Sequence, residues 1–217
     1  ILVIDEASQC DIASALPLLY RAKNTVIIGD PNQLKHISGI NVRSDKLLMD
    51  QFGIIEGSVI WSYSKNSLWD LASKLCPPQN LIMLRDHHRS RKEIINFSNK
   101  HFYDGQLRIA TNYSKLNLPS RTEPVVRWID VKGKVDQVDG RGAFNTEEVS
   151  EVVREINRLV VEQSYTGTVG VVSPFRRQAE RIQDAVEAHA GLGPYITRME
   201  FLSNTVHSFQ GDEKDII

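Results

Sequence analysis

Two cysteines in 217 residues, Cys10 and Cys76, are too few and too scattered for a disulfide framework or a zinc site, and they suit a reducing, cytoplasmic setting. No apolar run approaches the roughly 20 residues that a membrane helix needs, so no membrane partner is expected. Neither sign of charge dominates: 26 Lys and Arg stand against 27 Asp and Glu, a formal net charge of -1. That balance excludes a global electrostatic pull toward nucleic acid and leaves only local patches. There is no internal repeat and no low-complexity segment. What remains is an ordinary globular composition, 41% apolar and 24% charged, which excludes disorder, collagen and coiled coil. The length allows one large core or two modest ones. The chain opens on Ile1-Leu2-Val3-Ile4, which reads as a core strand, and closes on Asp215-Ile216-Ile217, which reads as the inside of another. Both ends are expected to be cuts in a longer protein.

Strand and helix patterns alternate along the chain. Ile1–Ile4 is a continuous apolar run, predicting a strand buried on both faces of a parallel sheet. A helix is expected over Asp11–Tyr20, with Pro17 a point of kinking, and a second strand over Thr25–Ile28. Residues 38–65 read as loop with short helix. Leu68–Leu75 reads as a helix stopped by Pro77-Pro78, the best candidate for a domain boundary. Beyond it, strands are expected at Leu81–Leu84, Val125–Val131, Thr168–Val172 and Asn204–Val206. Helices are expected after Ser90, which forms a capping-box pattern with Glu93, and after Asn145, which pairs similarly with Glu148. Ser173-Pro174 reads as an N-cap followed by proline at the first helical position. Lys132–Gly142 reads as a charged, glycine-rich mobile loop. The alternation predicts an α/β fold with mostly parallel sheets.

Two strand ends carry chemistry. Asp5 and Glu6 end the first strand, and ligands of doubly wound sheets sit outside such carboxyl ends. An Asp there holds Mg²⁺, and a neighbouring Glu orients a water for attack on a γ-phosphate. Alone, an acidic pair after a strand is more often a helix cap. Gly29-Asp30-Pro31-Asn32-Gln33-Leu34 follows the next strand after one crossover helix, so the two ends can lie side by side. A Gln in that place senses the γ-phosphate or its water.

These segments resemble motifs II and III of superfamily 1 helicases. Asp5-Glu6-Ala7-Ser8-Gln9 is similar to the branch typified by the nonsense-mediated-decay helicase. Leu84-Arg85-Asp86-His87-His88-Arg89, with Phe97, Asn99, Phe102-Tyr103 and Gly105, resembles that branch's motif IV region. Val169-Gly170-Val171-Val172-Ser173-Pro174-Phe175, with Gln178, resembles the strand–helix motif before motif V. Thr205-Val206-His207-Ser208-Phe209-Gln210-Gly211-Asp212-Glu213-Lys214-Asp215 resembles motif V. The motifs stand in the family's order and span nearly the whole chain.

The resemblance implies parallel-sheet, RecA-like domains. Residues 1–76 would be the second half of one such domain, and 77–217 most of another. It implies ATP clamped between two domains, Mg²⁺ at Asp5, water activation by Glu6 and Gln33, and an arginine finger at Arg89. Asp30, Gly211 and Glu213 would face the nucleotide. Ser173, Pro174, Thr205, His207 and Gln210 would touch a single strand of DNA or RNA through its backbone, contacts that carry no sequence code. It also implies a monomer, and movement from the five-prime to the three-prime end is typical of the branch. His87 and His88 read as structural or solvent-facing, and Arg177 and Arg181 as a solvated helix face.

Two departures stand out. No Gly-x-x-x-x-Gly-Lys followed by Ser or Thr occurs in the chain, so the loop that cradles the β- and γ-phosphates is absent from these residues. Motif VI, with its own arginine, is absent too. The 217 residues alone are therefore expected to be inactive. Lys35 stands where the family usually has proline. The competing readings are a nucleic-acid or partner-binding module of the same fold that does not hydrolyse ATP, and an unrelated phosphate-loop switch, against which motifs IV and V argue.

Overall fold

The computed structural model describes residues 1–54, 56–119, 124–137 and 142–217. It divides into two compact units. The first is Ile1–Asp86 together with Asn99–Leu107, and the second is His87–Ser98 together with Arg108–Ile217. The fold is mixed α/β, with parallel strand pairs in each unit that match a fragment of the RecA-like type.

In the first unit, β1 (Leu2–Ile4) and β2 (Thr25–Ile27) pair in parallel, with Ile4 opposite Ile27. The crossover is helix α1 (Ile12–Tyr20), started by Asp11, whose carboxylate accepts the Ser14 N–H at 2.8 Å. Pro17 lies inside this helix without ending it. Ala7, Ala15 and Leu68 are buried together, and Ile4, Ile27 and Trp69 pack on them. The expectation of a strand buried on both faces is corrected here. Val3 is 59% exposed and Val26 50%, so only one face of the β1–β2 pair is covered among the described residues.

Residues 38–65 hold more helix than the sequence suggests: α2 (Val42–Gln51) and a 3₁₀ turn, Glu56–Trp61. Asp45 on α2 is buried and ties this region together. Its carboxylate accepts from the Ser62 hydroxyl at 2.6 Å, the Ser64 hydroxyl at 2.7 Å and the Ser64 N–H at 3.0 Å. Helix α3 (Leu68–Leu75) follows with a full capping box between Ser67 and Asp70 and ends before Pro77.

The expected strands at Leu81–Leu84 and Val125–Val131 do not form. A β-branched run becomes a strand only where a neighbouring backbone takes its hydrogen bonds. Here Leu84 is 82% exposed and Trp128 92%. Two short strands appear instead, β3 (Asp86–His87) and β4 (Arg108–Ile109), which pair with each other. Helix α4 (Lys92–Phe102) starts later than the Ser90 pattern predicts, because the Ser90 hydroxyl is engaged by His87 Nε2 at 2.8 Å. Of the expected 132–142 loop, Asp136–Gln137 (β5) pairs antiparallel with Ala143–Phe144 (β6), and residues 138–141 lie outside the described ones.

The second unit has the larger core. Helix α5 (Thr146–Asn157), capped by Asn145, continues as a π turn, Arg158–Glu162. Its Val149, Ile156 and Val160 pack against Ile182 and Val186 of α6 (Arg176–Ala188). Strands β7 (Gly170–Ser173) and β8 (Leu202–Thr205) run parallel, placing Ser173 opposite Thr205. On the other edge of β7, the Gly170 N–H donates to the Ile216 carbonyl at 2.8 Å. Gly170 has to be glycine: a Cβ there would stand 2.5 Å from the Phe209 ring. The chain's last residues are thus a third parallel partner, as the sequence pattern suggests.

Asp45 yields a pH-dependent prediction. Burial pushes its carboxyl up, but the bonds from Ser62 and Ser64 outweigh this and hold it below the usual carboxylate range. A depressed folded value stabilises fully above that range and is lost as pH falls through it. Asp45→Asn is therefore expected to lower the stability of the first unit by about 2 kcal/mol at neutral pH. Urea midpoints should show the gap to the parent sequence closing as pH falls below the usual carboxylate range. A gap that stays constant with pH would contradict the assignment.

Candidate functional site

The loop after β1 leaves the ladder for two residues. The Ile28 N–H donates to the Ile4 carbonyl and the Ala7 N–H donates to the Ile28 carbonyl, both at 2.8 Å. Asp5 and Glu6 are looped out between these bonds, with both side chains exposed. Glu6 adopts φ +52°, the left-handed region that non-glycine residues avoid. Its N–H is turned back onto Asp5 Oδ1 at 2.8 Å, and Gln9 Nε2 donates to its carboxylate at 3.1 Å. Strain of this kind persists only where the surroundings over-determine it, and it clusters at functional positions.

The neighbouring strand end is locked to this one. The Ser8 hydroxyl accepts the Asp30 N–H at 2.9 Å and donates to the Asp30 carbonyl at 2.7 Å, in a setting where Ser8 is 1% exposed. Gly29 eases that closeness, since a Cβ would stand tightly against the Ser8 hydroxyl at 3.1 Å and Trp69 at 3.0 Å. The Asp30 carboxylate in turn organises its own loop. It accepts the Asn32 N–H at 3.0 Å on one oxygen and Gln33 Nε2 at 3.0 Å on the other. Lys35, where the family usually has proline, reaches the Asp70 carboxylate of the α3 capping box at 2.9 Å, so the departure supplies a different anchor for the loop. His36 continues the clasp: its N–H donates to the Ser8 carbonyl at 3.1 Å and its Nε2 meets the Tyr63 carbonyl at 2.8 Å. Asp5, Glu6, Asp30 and Gln33 thus share one edge, at the carboxyl ends of adjacent parallel strands.

Hard oxygen donors at such an edge suit Mg²⁺. Among the described residues no group of three or more His, Cys, Asp or Glu side chains could hold a metal. The exposed pair Asp5 and Glu6 instead suits an ion shared with a nucleotide's phosphates, which is how Mg²⁺ commonly binds. The edge is an open surface. An apolar hollow of this unit lies elsewhere, lined by Ile12, Leu16, Trp61 and Tyr63, and none of the four polar residues enters it.

In the second unit, Ser173 and Thr205 end adjacent parallel strands and face each other in register. Ser173 is not the helix cap that its sequence suggests. It is the last residue of β7, its hydroxyl accepts the Phe175 N–H at 3.1 Å, and α6 begins only at Arg176. Pro174 is an exposed bend between the two. The Thr205 hydroxyl donates to the Ser208 hydroxyl at 3.2 Å, His207 is exposed, and Gln210 is half-buried. Gly211 takes φ +89°. Gln178, nearly buried, ties helix starts together: its Oε1 accepts the Asn145 N–H at 2.8 Å.

Arg89 Nε lies 3.4 Å from the Glu213 carboxylate, with both side chains about two-thirds exposed. An exposed pair of this kind is weak and exchanges readily for a stronger anion. Beside it, burial, then the charges of Arg89 and His88, push His87 below its usual range, which leaves a neutral ring whose Nε2 accepts the Ser90 N–H at 2.9 Å. Arg177 pairs with Glu180, and Arg181 lies over the Phe144 ring, so both have structural occupations.

Sequence reasoning named neither Ser8 nor Tyr103 as functional. Ser8 lies inside the Asp5–Gln9 motif, so it was visible but without a role. The Tyr103 hydroxyl donates to Asp30 Oδ2 at 2.5 Å across a separation of 73 positions, which no local pattern encodes.

The sequence is similar to those of known proteins. Residues 64–217, most of the chain, match a family described as "AAA domain", and residues 1–37 match a second family with the same description. Helicase sen1 of Schizosaccharomyces pombe is 28% identical over 225 residues, covering 99% of this chain and 12% of that protein. The uncharacterized ATP-dependent helicase MG140 of Mycoplasma genitalium is 30% identical, covering 99% of this chain and 19% of its own length. The putative helicase mov-10-B.1 of Danio rerio is 25% identical, covering 88% of this chain and 20% of its own length. The chain therefore spans a fifth or less of each of these relatives. Among the described residues no helix is long and apolar enough to cross a membrane. The proteins that this chain resembles are named helicases, and the chain itself belongs to the AAA-domain family.

Proposed function

We propose that this chain is part of the motor core of an ATP-dependent helicase or translocase, of the branch typified by the nonsense-mediated-decay helicase, which moves on single-stranded DNA or RNA. The observation that carries the reading is the shared edge of β1 and β2, where Ser8 holds Asp5 and Glu6 beside Asp30 and Gln33. Residues 1–76 belong to a first RecA-like domain and 77–217 to a second. The protein works as a cytoplasmic monomer, and its two free thiols suit that setting.

In this reading Asp5 would hold Mg²⁺, which would neutralise charge on the nucleotide's phosphates. Glu6 accepts the proton of the attacking water, a task suited to an exposed carboxylate held by Gln9. Gln33 orients that water, and Asp30 orients Gln33. Arg89 leaves Glu213 to meet the charge that develops on the phosphoryl oxygens, and Glu213 and Gly211 then face the nucleotide. Ser173 and Thr205, at the ends of β7 and β8, together with Pro174, His207 and Gln210 on the segments that follow them, would take the nucleic-acid backbone.

Two measurements on the intact parent protein test this. Glu6→Gln should keep ATP binding within about threefold while turnover falls at least about a hundredfold. The isolated 217 residues serve as the no-turnover control, since they carry no phosphate loop. Near-normal turnover in the variant would remove Glu6 from the role of base. Arg89→Ala should lower hydrolysis by about a thousandfold and change single-strand affinity by less than about threefold. Equal losses in both would make Arg89 a nucleic-acid contact instead.

A further inference from the structure

The loop that carries Asp30 and Gln33 is gripped by a turn that the roles above leave unused. Helix α4 ends at Phe102, and the chain reverses through Asp104 and Gly105, both at positive φ, +51° and +72°. Asn99 locks that turn. Its Nδ2 donates to the Leu107 carbonyl at 3.1 Å, its Oδ1 accepts the Leu107 N–H at 2.9 Å, and its carbonyl accepts the Gly105 N–H at 2.9 Å. From this fixed turn the Phe102 carbonyl accepts Asn32 Nδ2 at 2.7 Å, and the Tyr103 hydroxyl donates to Asp30 Oδ2 at 2.5 Å.

The second bond matters because of what else that oxygen does. Asp30 Oδ2 also accepts Gln33 Nε2 at 3.0 Å, so one carboxylate oxygen joins the Tyr103 phenol to the Gln33 amide. The last torsion of an aspartate is soft, with a broad and nearly two-fold energy profile. Asn32 and Tyr103, bonding different oxygens from different directions, fix the carboxylate plane. Without the phenol, the carboxylate that accepts from Gln33 would keep only the Asn32 N–H to set its plane. Burial and the Asp30 carboxylate push the Tyr103 hydroxyl well above its ordinary range, so it stays a donor throughout the neutral range.

We infer that Tyr103 is a positioning residue for ATP hydrolysis: its hydroxyl fixes the Asp30 carboxylate and, through it, the attitude of the Gln33 amide toward the attacking water. This rests on the reading of Gln33 given under the proposed function. Tyr103→Phe removes only the hydroxyl and keeps the ring, so it isolates the bond.

The test is steady-state ATP hydrolysis by the intact parent protein, with single-stranded nucleic acid present, for Tyr103→Phe, Gln33→Ala and the double variant. Tyr103→Phe should lower kcat about tenfold with KM within about twofold. Gln33→Ala should lower kcat about a hundredfold, and the double variant should fall no further than Gln33→Ala. Normal kcat in Tyr103→Phe overturns the inference and leaves the Gln33 reading standing. Normal kcat in Gln33→Ala overturns that reading and the inference with it. A double variant that loses a further tenfold overturns the inference alone, because Tyr103 then acts by another route, such as general stability.

Discussion

The Ser8 hydroxyl bonds both the N–H and the carbonyl of Asp30, and almost no solvent reaches it. A single buried hydroxyl thereby makes two strand ends move as one. Each bond is worth only about 1 kcal/mol net, but breaking both would leave buried backbone groups unmet, which costs more. Everything proposed for the first unit depends on this clasp. Asp5 and Glu6 project from one side of it, and the Asp30 loop with Gln33 from the other. Gly29 eases it, and His36 and Lys35 extend it toward Tyr63 and α3.

The second unit solves a similar problem with weaker fixtures. Ser173 and Thr205 are aligned by strand register, which follows from the parallel ladder and needs no clasp. Their hydroxyls bond close neighbours, Phe175 and Ser208, so the edge keeps these polar groups satisfied. Arg89 and Glu213 sit in an exposed, exchangeable pair. Under the proposed function, the firm placement of Gln33 and the loose placement of Arg89 would suit a reaction in which water is aimed and the cation arrives.

Much of this was legible in the sequence, and the reasons are local. Helix α1, helix α3 and the Asn145 cap follow from side chains within four positions of each other. The adjacency of the Asp5 and Asp30 loops follows from two apolar runs joined by one crossover helix. The failures are of another kind. Leu81–Leu84 and Val125–Val131 have strand composition, but a strand also needs a partner backbone, and none pairs with them among the described residues. Ser173 has the composition of a cap, but strand pairing with Thr205 claims it first. The burial of Asp45 and the Tyr103 bond to Asp30 depend on contacts made across long separations in the chain, which a periodicity cannot report. The resemblance proposes roles by motif, and the structure shows which groups hold those residues in place.

In the proposed mechanism the β1–β2 edge is where water is aimed at the γ-phosphate. A crystal structure of the intact parent protein with ADP, Mg²⁺ and aluminium fluoride tests it most directly. The account predicts that the fluoride and its apical water sit at this edge, with Glu6 and Gln33 each within about 3.2 Å of that water. A water lined instead by other residues, with Glu6 and Gln33 out of hydrogen-bond reach, would contradict it.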